Sequence, residues 1–164
     1  MIRIRLKKKS NNVDTLLKLY QIYDDHRNAR LWFLGGLDAA DYDEYKEKYS
    51  SASMERCHFV AVCGFFELSG VLVKHGLIDQ DLYFDIFNPT PFWKKAKPII
   101  EGMRSKRSDS YYYENFESLN NKRLSWKEKR NIKKNNDTDK KLNYTNILKE
   151  ELFRQSIGQK WEIP

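Results

Sequence analysis

Apolar residues recur every three to four positions along most of this 164-residue chain, a period that predicts helices. Leu16, Leu19, Tyr20 and Tyr23 mark a first stripe, with Asp14 placed to cap it. The stripe continues through Arg27 and Arg30 to Leu34, and Gly35-Gly36 ends it. A more polar helix opens at Asp38, DAADYDEYKEKYS, with Tyr42, Tyr45 and Tyr49 on one side. The longest apolar pattern starts near Ser51 or Ser53 and runs to His75, with Gly76 as its left-handed cap. It carries two apolar faces, Phe59-Val62-Phe66-Val73 and Ala61-Phe65-Leu68-Leu72. A helix apolar on most sides is expected to be surrounded by others, so residues 52–75 are the predicted core.

Asp79 predicts the cap of a short helix carrying Leu82, Tyr83, Ile86 and Phe87, stopped by Asn88-Pro89. Thr90-Pro91 reads as N-cap and first position of the next helix, whose inner stripe is Phe92, Ala96, Ile99 and Met103. Pro98 should kink or interrupt it. Ser108 to Ser110 break the pattern, and Tyr112, Tyr113, Phe116 and Leu119 mark another short helix. IRIRL at residues 2–6 alternates as a strand would. The reading is all-α: an irregular single-domain bundle around the central helix. Residues 1–120 form the helical domain, 121–141 a basic polar linker or exposed helix, and 142–164 a C-terminal docking helix and tail. Tyr144, Ile147, Leu148 and Leu152 would make the docking face.

Charge refines this division. The net +7 resides in two polar segments: residues 1–9 carry +5 and residues 122–141 carry +6, while residues 10–121 carry −4. A basic argument for an anionic partner therefore concerns those segments and not the fold. In the second, Lys122, Arg123, Lys127, Arg130, Lys133 and Lys134 surround Trp126, and helical spacing puts Arg123, Lys127, Arg130 and Lys134 on one side. Such residues bind phosphates without reading sequence, and a solvated face is the plainer reading. Cys57 and Cys63, six apart in an apolar run, read as buried thiols too far apart to bridge. His26, His58 and His75 form no ligand pattern with nearby acids, so neither a metal nor another cofactor is expected. No secretory leader and no run of roughly 18 apolar residues appears, which points to a cytoplasmic protein without a membrane span.

Three strings, FFELSGVLVKHGLIDQDLYFDIF, PFWKKAKPIIEGMR and YYYENFESLN, resemble a bacterial family, domain of unknown function 4760. The positions that carry the resemblance include Phe66, Glu67, Gly70, Gly76, Asp79, Trp93, Pro98, Arg104, and Tyr113 through Glu117, within residues 50–120. The resemblance implies no catalytic residue. Many members of that family carry an N-terminal membrane helix, whereas this chain begins MIRIRLKKK.

Glu67 is the conspicuous polar residue, an acid inside the apolar run with Gly64 and Gly70 three positions to either side. Small neighbours admit another backbone, and a half-dry carboxylate needs a partner, because an unpaired buried charge costs several kcal/mol. Arg27 and Arg30 are the first expected partners, then Arg104, with Tyr113 as a hydroxyl donor. Catalysis would require a second positioned acid, base or nucleophile. Glu114 and Glu117 share a helix edge and form a candidate carboxylate pair, and Tyr111 to Tyr113 a candidate base-stacking run. The expected function is a non-enzymatic protein-interaction or regulatory module of a bacterium or phage, in a setting such as phage–host conflict, with homo-oligomerisation open. The alternatives are a nucleic-acid-associated protein using residues 122–141 and a metal-dependent hydrolase or nuclease.

Overall fold

The computed structural model describes residues 2–135, with side chains from Asn12 onward. The chain divides into two compact units, Met1–Leu124 and Ser125–Pro164. In the first, the element order is α1 (Ile2–Asp25), α2 (Arg27–Gly35), α3 (Tyr42–Lys48), α4 (Met54–Lys74), α5 (Gln80–Ile86) and α6 (Thr90–Arg107). A seventh helical run begins at 114, and its part within this unit, 114–124, is labelled α7. In the second unit residues 125–135 are helical, and the proposed docking segment 142–164 lies outside the described residues. The fold is all-α, with α4 as its central helix.

Local chemistry sets the boundaries. Ser53 caps α4 by accepting from the Arg56 amide, and Asp79 caps α5 by accepting from the amides of Asp81 and Leu82. Gly76 takes φ 64° just past α4, a conformation that suits glycine. The expected first helix is two, because the weak helix formers Asp24, Asp25, His26 and Asn28 cluster where α1 gives way to α2. Residues 2–6 lie in α1, since their alternation is outweighed by the helical pattern that follows. α3 opens later than Asp38, with Asp41 as the cap. Pro98 does not end α6, which runs on to Arg107.

The core is aromatic. Phe33 stacks on Phe59 at 5.4 Å between α2 and α4, and Phe66 stacks on Phe116 at 4.9 Å between α4 and α7. Trp93 of α6 meets the edge of Phe116, and Tyr23 of α1 packs on Phe65 and Phe87. One of the two expected faces of α4 is buried: Phe59, Val62, Phe66 and Val73. The other is not. Phe65 is buried, but Leu68 is exposed, as are Val60 and Gly64. The neighbours of α4 thus cover it on the core side and leave a flank to solvent. By length and composition this helix could also cross a membrane.

Candidate functional site

Glu67 sits where α4 passes the start of α7. One carboxylate oxygen accepts from the Asn115 side-chain amide at 2.7 Å and from the Asn115 backbone amide at 3.3 Å. The other accepts from the Phe116 backbone amide at 2.8 Å. These two backbone amides belong to the first turn of α7, where a helix has donors without internal partners. A carboxylate there meets both free N–H groups and the positive end of the helix dipole. Glu67 is therefore a cap supplied from another helix, 48 residues away in sequence.

This replaces the expected ion pair. Arg27 pairs with Asp24 at 2.7 Å on the surface. The Arg30 guanidinium donates to the Tyr23 carbonyl at 2.8 Å and lies over the Tyr23 ring. That carbonyl is in the last turn of α1, so the break after Asp25 orphans it and Arg30 satisfies it. Arg104 donates to the Tyr112 carbonyl at 2.9 Å and pairs with Glu117 at 2.7 Å. Tyr113 precedes α7 at φ 57°, a strained conformation for a residue with a side chain. Burial pushes its phenol well above the usual tyrosine range.

Further contacts hold the same junction. Gly70 passes so close to Asn115 that a Cβ would collide with the Asn115 carbonyl oxygen. Lys74 pairs with Glu114 and reaches the Asn115 side-chain oxygen, both at 3.3 Å. Phe116 fills the space against Phe66 and Trp93. The second small neighbour of Glu67 plays no such part, since a Cβ on Gly64 would meet nothing within 4 Å. Glu114 and Glu117, the candidate carboxylate pair, are engaged by different cations, Lys74 and Arg104. Sequence reasoning assigns Asn115 and the Phe116 amide no part in holding Glu67, because nothing in it signals which helix start an internal acid will reach.

Of the two thiols expected to be buried, only Cys63 is, because Cys57 falls on the open flank of α4 and is exposed. Cys63 is fully buried and pushed well above its ordinary range by burial and by the Glu67 charge, which suits an inert side chain. Among the described residues, no three His, Cys, Asp or Glu side chains gather closely enough to hold a metal ion. Lys122 and Arg123 are half-buried at the end of the first unit, and the Arg123 guanidinium lies over the Phe84 ring. In the second unit Lys127, Arg130, Lys133 and Lys134 are exposed on helical residues, and Arg130 lies over the Trp126 ring at 4.5 Å.

The strings FFE and YENFE thus meet in space, and they are the same strings that carry the family resemblance. The family model described as "Domain of unknown function (DUF4760)" matches residues 10–124. The chain belongs to this family. Comparison with curated proteins and with solved structures gives no match. The DUF4760 match takes in every buried core side chain among the described residues, from Leu16 to Leu119. In this DUF4760 chain the motif residues Glu67, Gly70, Asn115 and Phe116 form a structural joint between two helices.

Proposed function

We propose that the chain is a non-enzymatic contact module that presents the open flank of α4 to a partner. One observation carries the reading: the central helix leaves Val60 at 56% and Leu68 at 45% of full exposure, with Gly64 between them. A core helix that keeps an uncharged apolar stripe in water has a use for it outside its own fold. The acids that invited a catalytic reading are meanwhile engaged in holding helices together. A photo-reactive residue placed at position 68 should form a defined adduct in cells, and one at the exposed polar position Glu47 should not. Equal labelling at both positions, or at neither, would end the reading.

A second reading has its own observation, the exposed lysines at 127, 129 and 133 on helical residues of the second unit. If these bind phosphates, affinity for random duplex DNA or RNA falls steeply with salt. Removing all three charges should then lower the log–log salt slope by about 0.9 for each phosphate that is no longer neutralised. An unchanged slope would exclude the segment as the binding surface.

A further inference from the structure

The first helix combines two properties that packing within the fold does not require. α1 turns Leu16 and Leu19 into the core, and Tyr23 packs on Phe65 and Phe87. Its opposite side is not polar. Val13, Leu17 and Tyr20 follow one another at helical spacing and keep 49%, 58% and 53% of full exposure. The helix extends back unbroken to Ile2, and the same register runs on through Leu6 to Ile2.

Charge is the second observation. Residues 1–9 hold five positive charges and no acid. Register places Arg3 and Lys7 to one side of the apolar line and Arg5 and Lys9 to the other. Further along, Asp14 and Lys18 cancel, and the remaining acids of α1, Asp24 and Asp25, stand at its far end. The helix is thus basic where it begins and acidic where it joins α2.

We propose that α1 lies on the surface of an anionic lipid bilayer, with its basic first half among the headgroups and Val13, Leu17 and Tyr20 at the boundary of the acyl chains. Such a surface matches both properties at once, negative headgroups for the flanking cations and an apolar layer for the stripe between them. Tyrosine suits that depth, because one end of it is apolar and the other polar. Phosphates of a nucleic acid would meet the charges and leave the stripe in water. An acidic groove of another protein closes on a helix from several sides, whereas α1 already has one side against its own fold. The helix rests on the bilayer and does not cross it, since so dense a run of cations is costly inside hydrocarbon. Few apolar groups insert and the charge attraction is screened by salt, so attachment is reversible and needs both parts. None of this depends on the open flank of α4.

Flotation of the full chain with phosphatidylcholine vesicles, with and without phosphatidylglycerol, tests the assignment. Binding should require phosphatidylglycerol and fall as salt rises. K7Q/K8Q/K9Q should weaken it about fivefold for each charge removed. L17D should weaken it about tenfold or more while the melting temperature holds, because Leu17 is exposed, and V13D repeats that arm at a second exposed position. L68D and neutralisation of Lys127, Lys129 and Lys133 should leave binding in place. No flotation with phosphatidylglycerol, or equal flotation on phosphatidylcholine alone, would overturn the proposal. So would L17D and V13D binding as well as the unsubstituted chain, which would mean that charge alone acts. Loss in L68D would move the lipid contact to α4, and loss on neutralising the three lysines would move it to the second unit. Random duplex DNA bound through Lys7, Lys8 and Lys9, with vesicles left unbound, would assign the segment to nucleic acid instead.

Discussion

Glu67 shows what one carboxylate does when three N–H groups converge on it. Hydrogen bonds to a charged acceptor contribute about 1.5–3 kcal/mol, and removal of the acceptor leaves two amides of the first turn of α7 without it. E67A should therefore lower unfolding stability by about 3 kcal/mol and E67Q by somewhat less, measured by urea denaturation. A loss of activity with full stability would instead mark a reacting group. Tyrosine burial makes a prediction about the response to pH. Tyr83 is fully buried, and burial raises its phenol above the ordinary 10.0. Tyr45 is raised by burial as well. The folded state then keeps protons that the unfolded state releases, so their contribution is fully present below pH 10 and is lost as pH climbs toward the raised folded values. Stability should drop above about pH 10 by about 1.4 kcal/mol per pH unit for each such phenol. Y83F should make the drop shallower, and an equal slope in Y83F would show that Tyr83 does not contribute.

Some helix ends of this fold are finished by side chains of other helices. Glu67 closes the start of α7, and Arg30 takes a carbonyl at the end of α1. Arg56 of α4 donates at 2.7 Å to the Tyr49 carbonyl just past α3, and Arg104 of α6 to the Tyr112 carbonyl before α7. Short elements such as α3, with seven residues, lack the length to be stable alone, so these bonds and their packing hold them. Two glycines of α4 separate the internal demands of the helix from external ones. G70A drives a methyl into the Asn115 carbonyl and should destabilise by about 2–4 kcal/mol. G64A enters open space and should stabilise the fold by up to about 1 kcal/mol. Thermal melts of the two variants should move in opposite directions.

At the scale of the molecule, the described core ends with Leu119 and Asn120, inside the first compact unit and inside the family match. Residues 1–124 produced alone should unfold in one cooperative transition with a midpoint close to that of the whole chain. A broad, non-cooperative melt would show that later residues complete the core. Much of this architecture is legible in the sequence. The central helix and the caps Ser53 and Asp79 follow from local signals. So does the stop after Arg107, where Ser108 adopts φ 53°. The division of the first helix is not legible, because the apolar stripe runs past His26. A stripe records which side faces the core but not whether the backbone is continuous. The open flank of α4 escapes for a related reason: apolar composition says what can be buried, while the number of neighbours decides what is.

The sequence by itself determined the all-α character, the identity of the core helix, the ends of several helices, and the need of Glu67 for a polar partner. Each rests on interactions between residues a few positions apart, where spacing alone fixes geometry. Only the tertiary structure decided that the partner is the start of α7 and that Arg104 serves Glu117. It also decided that Gly70 is crowded while Gly64 is bare. These depend on which segments meet across the chain, and a carboxylate in the middle of a helix suits an arginine and a row of free amides equally well until packing presents one of them.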